Sequence, residues 1–249
     1  MDFVSQRRRL KFTCVPVILL FATLLPLNGR AAEDIVYINN LGPFYYLDGT
    51  EKGVSYELIH RLAERRAYQG VIEAVPLKRR MTMLLNSPKA FGVLWREPAV
   101  ESRFTWLFKI LEDRVILMTL RKSPVNVDSL EAARRLRIGV VLGSPAEALA
   151  RSVGFTHIEA TSSAAGNIKK LAMGRIDAWI GFDSVAEFDE NRGLDRVSEL
   201  RRGMTIGKVD LYFACGSPCD EAQALRWKEA YHALTKDGTV KTILEKYRF

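Results

Sequence analysis

From Ile35 onward, short β-branched runs alternate with segments of helical spacing, and this alternation constrains the fold more than any other feature of the chain. Ile35 to Ile38 reads as a strand, followed by turn chemistry at Asn39-Asn40, Leu41-Gly42-Pro43 and Asp48-Gly49. Ser55 can cap a helix through about Arg66, with Tyr56, Ile59 and Leu62 on one face. Val71 to Val75 is a strand, Arg79 to Leu85 a helix, and Phe91 to Leu94 and Val115 to Leu120 are buried strands. The series then repeats: a helix from near Asp128, a strand over Arg137 to Leu142, a helix over Asn167 to Met173 and a strand over Ile176 to Ile180. Ser184 to Asn191 is helical and Val209 to Ala214 a strand. Two helices close the chain, from about Asp220 to Lys236 and from Val240 to Tyr247. Strands spaced in this way predict an α/β fold with parallel sheets covered by helices.

The N-terminal stretch is of a different kind. Arg7, Arg8, Arg9 and Lys11 precede an apolar run from Val15 to Leu27, and Gly29-Arg30-Ala31 offers a small-x-small cleavage pattern. A membrane anchor is the competing reading, but a spanning helix needs roughly 20 residues, and Pro16 and Pro26 interrupt this run. Residues 1–31 are therefore expected to be a cleaved signal peptide, with the cut after Ala31 or Ala32. That segment carries five basic residues and one acid, so the formal charge of +8 falls to +4 in the mature chain. A charge this modest calls for no nucleic-acid partner. No later stretch is apolar and long enough for membrane insertion. Lys78-Arg79-Arg80, Arg134-Arg135 and Arg201-Arg202 read as solvated faces that can attract an anionic solute, and Arg79 is taken as a candidate ligand residue.

The mature chain keeps two cysteines, Cys215 and Cys219. In an oxidising compartment they are expected to close a small disulfide. A metal pair is the alternative, but His60, His157 and His232 form no ligand-spaced cluster, and no metal or other cofactor is expected.

Three clusters can carry chemistry. In Gly143-Ser144-Pro145-Ala146-Glu147 a strand ends, Ser144 can be an N-cap, Pro145 suits the first helical position and Glu147 completes a capping box. Amides at such a terminus favour an anion, although a well-capped helix is also simply common. Asp183 follows the carboxyl end of a strand, where it can bind an ammonium or cap the next helix, whereas Asp177 reads as structural. Trp95 and Arg96 follow a buried strand and are candidates for a cleft, while Phe104 and Trp106 read as core. Among Phe44, Tyr45 and Tyr46, one is expected to face the cleft and the others to pack. Enzyme signatures are missing: Ser144 lies in Leu-Gly-Ser-Pro rather than a nucleophile elbow, and there is no dinucleotide or Walker pattern.

In order along the chain, Pro43-Phe44, Gly53, Arg96-x-Pro98 before Phe104 and Trp106, Ile138-Gly-Val-Val-Leu-Gly-Ser144, Gly174-Arg-Ile-Asp-Ala178 and Lys236-Asp-Gly-Thr239 form an ordered set. The set resembles the bacterial extracellular solute-binding proteins of family 3, the polar amino-acid receptors of ABC importers. The resemblance implies a two-lobed, type II periplasmic-binding-protein architecture with two hinge strands and a mainly parallel, helix-flanked sheet in each lobe. Lobe 1 would span residues 32–113 and 210–249, and lobe 2 residues 114–209. It also implies a periplasmic, monomeric receptor that closes on a small-molecule ligand and serves an ABC permease or a membrane sensor. Ser144 matches the family's helix-terminus contact and Asp183 its ammonium-binding aspartate. The family's carboxylate-binding arginine is replaced by Val100, and Arg96 or Arg103 are the possible substitutes. Leu41 stands where an aromatic is frequent, and Tyr45 or Tyr46 can compensate. Two other readings accompany this one. One is a periplasmic enzyme on the same scaffold, of cyclohexadienyl-dehydratase type, with Asp183 or Glu97 as the acid. The other is a ligand-free interaction module with its pocket filled by Trp95.

Overall fold

A computed structural model describes residues 34–46, 52–191 and 199–249. The expected signal segment 1–31, its cleavage site and the Asp48-Gly49 turn lie outside the described residues. Eight strands, β1 (Ile35–Ile38), β2 (Val71–Ala74), β3 (Ala90–Arg96), β4 (Phe104–Leu120), β5 (Ile138–Val141), β6 (Ile158–Thr161), β7 (Ala178–Phe182) and β8 (Leu200–Gly216), form one hydrogen-bonded sheet. Their order is β2-β1-β3-β8-β4-β7-β5-β6. At one end β1 pairs in parallel with β2 and β3; at the other β5 pairs in parallel with β6 and β7. Strands β4 and β8, 17 residues each, run antiparallel between the two sets.

The registers show how narrow the connection is. Strand β3 pairs with β8 only as far as Arg96 opposite Asp210, and β7 joins β4 only from Val115 opposite Phe182. At Asp113 and Arg114, opposite Val209 and Lys208, the sheet is two strands wide. Register shifts beside this point, between Lys109 and Leu111 and between Val115 and Met118, bend the ribbon.

Helices α1 (Val54–Arg65), α2 (Leu77–Leu85), α7 (Glu221–Lys236) and α8 (Thr239–Lys246) belong to the β1 end of the chain's layout, while α3 (Leu130–Ala133), α4 (Pro145–Ser152), α5 (Ala164–Ala172) and α6 (Asp183–Asn191) occur in the segment containing β5 to β7. Leu58, Ile59 and Leu62 on α1 are completely buried, as are Phe91, Phe213 and Trp227; the two phenylalanines stack and Trp227 packs at a tilt against them. Each such side chain contributes about 1.5–3 kcal/mol on leaving water.

The structure departs from the sequence expectations at several points. Helix α1 starts at Gly53, whose φ of 98° and contact with the Phe44 backbone exclude a β-carbon, and not at Ser55. Ser55 is instead buried, donating to Asn39 Oδ1 at 3.5 Å. Strand β4 begins eleven residues before the expected Val115, because its first half is a two-sided ribbon in which charged side chains break the apolar run. Strand β6 has no counterpart in the sequence reading, and α2 starts two residues early. Cys215 and Cys219 form a disulfide, with Cα atoms 5.8 Å apart, that ties the end of β8 to the approach to α7.

Candidate functional site

A cavity of about 530 Å³ opens at the carboxyl ends of both parallel strand sets, the edge on which α/β sheets bind ligands. From the β1 side it is lined by Asn39, Asn40 and Leu41 after β1, by Pro76, Leu77, Lys78 and Arg80 at the start of α2, and by Trp95 on β3. From the β5 side come Val141, Leu142, Ser144, Pro145 and Ala146, then Ser162, Ser163 and Ala164, and finally Trp179 to Phe182 and Val185. Trp95 and Phe182 stack with ring centroids 4.5 Å apart and so join residues from the two sides. Phe44 supports Trp95 edge-on at 5.4 Å.

The electrostatics of this wall are one-sided. Three helices begin on it. Ser144 Oγ accepts from Glu147 N at 3.3 Å to cap α4, Ser163 Oγ accepts from Gly166 N at 3.2 Å to cap α5, and Pro76 precedes α2. Helix N-termini carry partial positive charge. Lys78 and Arg80 add full charges, and no Asp or Glu is among the described residues of the lining.

Arg80 is the unusual member. It is 2% exposed. Its Nη1 donates to Ile38 O and Val75 O, each at 2.9 Å, while Nε meets no acceptor. Among the described residues no carboxylate pairs with it. Burial alone pulls its pKa from 12.5 down to about 9, so it remains cationic at neutral pH. A buried charge without a counter-charge is costly. The Trp179 indole N–H, on the same wall, is likewise buried without an acceptor. The site therefore has donors and positive charge to spare, beside apolar surface from Leu41, Leu77, Trp95, Leu142, Ile180 and Phe182.

The residues singled out from sequence separate into two groups. Trp95 and Ser144 line the cavity together. The others do not. Arg96 points to the opposite face of β3 from Trp95, as strand alternation requires. There it is exposed, bonded twice to Glu101 (2.9 and 2.5 Å) and set over the Trp106 and Tyr212 rings. Asp183 opens α6 but turns to the β4–β8 ribbon, where Arg114 Nη2 and Arg202 Nε both donate to it, the latter at 2.9 Å. Its charge is already matched. Arg79 is exposed on α2, one residue from the buried Arg80. None of Phe44, Tyr45 and Tyr46 lines this cavity: Phe44 is core, Tyr45 packs on Tyr56, and Tyr46 borders a separate cavity of about 400 Å³ with Phe188. Arg103 is also exposed, outside the lining.

Sequence reasoning passed over Arg80, because a run of three cations reads as a solvated face. The available signal was its position: Arg80 stands four residues before Leu84, on the buried stripe of α2. Two carboxyls are perturbed away from the cavity wall. Burial pushes Glu97 up to about 7. Burial also raises Asp113, to about 6, against hydrogen bonds from Ser184 and the Arg114 amide. Asp177 is structural, as expected, holding the Arg137 backbone and guanidinium.

No protein-family model matches the chain, and no curated protein does. Solved structures do match. A histidine kinase sensor domain with similarity to periplasmic binding proteins superposes with a TM-score of 0.76 at 17% identity, over 88% of this chain and 96% of that one. The arginine-, lysine-, histidine-binding protein ArtJ from Geobacillus stearothermophilus gives a TM-score of 0.74 at 15% identity, over 86% and 94%.

The fold is that of the two-lobed periplasmic binding proteins.

An ancestral amino acid-binding protein that is a precursor of cyclohexadienyl dehydratase shares the same binding-protein fold, with a TM-score of 0.72, 17% identity and coverage of 88% and 96%. At these identities the likeness is one of fold alone.

Proposed function

We propose that this chain is an exported solute-binding protein that captures a small polar or anionic molecule in the cleft by hinge closure, for ABC-type import or for sensing. The observation that carries the reading is the cavity itself, walled by both strand sets and containing a buried, unpaired cation. Asn39, Lys78, Arg80 and Trp95 would hold the ligand from lobe 1 (residues 32–113 and 210–249). Ser144, Ser163 and Phe182 would hold it from lobe 2 (residues 114–209). The two-strand crossing at Asp113 and Val209 suits a hinge, and contacts from both lobes would favour the closed state. Residues 1–31 would be the signal peptide that delivers a monomeric, periplasmic receptor.

The same fold serves ABC receptors and a kinase sensor domain, so either a permease or a membrane sensor fits as the downstream partner. The enzyme reading gains nothing from this cavity: its described lining offers no Asp, Glu or His for proton transfer. The ligand-free reading is disfavoured because Trp95 packs along the wall and leaves the volume open.

Mass spectrometry of small molecules released from natively purified protein tests the proposal. One dominant species, which on re-addition at a hundredfold excess over Kd stabilises the fold by about 2.7 kcal/mol, is the expected result. Release of nothing, together with no stabilising hit from a solute library, would refute it.

A further inference from the structure

We infer that the ligand is an organic monocarboxylate with a flat apolar body and no ammonium group, and that Arg80 is the residue that grips its carboxylate. The inference rests on the binding reading above and specifies its chemistry.

Arg80 has five N–H donors, of which the two on Nη1 can serve the bonds to Ile38 O and Val75 O. The Nε donor is buried and meets no acceptor among the described residues, and no acid among them balances the charge. An entering carboxylate would supply both the acceptors and the counter-charge. Removing a buried, uncompensated charge in this way is worth far more than a surface ion pair. The N-termini of α4 and α5 favour the same sign. Because Lys78 is exposed and screened, Arg80 is the one desolvated cation of the described lining, which matches one negative charge better than two.

An α-amino acid would bring an ammonium as well. The described lining contains no carboxylate to receive it. Asp183, which the sequence pattern offers for that purpose, is engaged by Arg114 and Arg202. Placing an ammonium near Arg80 with no acid between them adds like-charge repulsion. The remainder of the wall, with Trp95, Trp179 and Phe182, suits a planar hydrocarbon body.

Three probes isolate the two charged groups: hydrocinnamate, phenylalanine and phenethylamine, titrated calorimetrically into the purified mature chain and its variants. The expected order is hydrocinnamate tighter than phenylalanine by on the order of tenfold or more, with phenethylamine not binding. Arg80→Met should lose hydrocinnamate binding by a similar factor or more, whereas Arg96→Ala should keep it. If Arg80→Met does not fold, the wild-type order of the three probes still decides. Phenylalanine binding as tightly as hydrocinnamate, or tighter, would overturn the inference and leave the solute-binding reading standing. Failure of all three probes would also overturn it, and the mass-spectrometric experiment then decides separately whether the solute-binding reading falls too.

Discussion

Arg80 and Glu97 carry opposite charges into low-dielectric surroundings, and neither has a charged partner among the described residues. For Arg80 the cation survives, because a guanidinium starts so far above neutrality that burial leaves it protonated. For Glu97, burial brings the carboxyl up to about 7, within the physiological range. An unfolded glutamate ionises near pH 4, so between about pH 4 and 7 the folded chain holds a proton that the unfolded chain has released. Stability must therefore fall as pH rises through that window. Glu97→Gln should remove this part of the slope and make the protein more stable than wild type at pH 8, by about 1 kcal/mol after allowing for partial exposure. Denaturant titrations at pH 5 and pH 8 measure it, and an identical pH dependence in the two proteins would assign Glu97 an ordinary, solvated carboxyl. Asp113 slopes in the same direction over a narrower window, so only the difference between variant and wild type isolates Glu97.

Among the elements, α4 shows how a local sequence signal serves two purposes. Ser144 caps the helix, Pro145 starts it, and Glu147 Oε2 reaches back to accept from Gly143 N at 2.7 Å. This is a capping box displaced by one residue, since the carboxylate bonds the amide before the cap. Gly143 takes φ of 70°, which turns the chain from β5 into the helix at the cavity wall. Ser144→Ala should cost about 1 kcal/mol, lowering Tm by about 2–4 °C for a chain of this size, as calorimetric melting would record. An unchanged Tm would mean that the Glu147 carboxylate alone satisfies the helix start. Helix α2 makes the complementary point. By beginning at Leu77 it sets which of three consecutive cations is buried, and the answer is Arg80, with Arg79 left in water.

For the whole molecule, two parallel strand sets are joined through a narrow antiparallel ribbon. Each parallel strand set is covered by helices, but only β4 and β8 cross from one to the other, and they cross alone at Asp113 and Val209. Bulges on both sides bend the ribbon, and the Asp183–Arg114–Arg202 cluster braces it. A ligand touching both walls of the cavity would draw them together. Small-angle scattering should therefore give a smaller radius of gyration for the protein with hydrocinnamate than without it, and the change should vanish in Arg80→Met. Binding with no change in radius would indicate a cleft that is already closed.

The alternation of strands and helices, the α4 cap and the disulfide pair were all legible in the sequence. Each depends on neighbours a few residues apart, or on a periodicity that one strand or helix satisfies by itself. The first half of β4 was not legible, because Lys109, Glu112 and Arg114 interrupt an apolar pattern that a two-stranded ribbon does not need. Nor was the partnership of the candidate residues. Asp183 stands where a ligand aspartate would, but the fold brings Arg114, 69 residues away in sequence, to neutralise it. Arg96 is one residue from the cavity wall, and the strand's two-residue period puts it on the other face. Arg80 sits in a charge run that looks solvated until tertiary packing closes over it. Composition and spacing set what the chain can build, whereas the burial of one cation with no acid beside it among the described residues depends on distances that only the folded backbone creates.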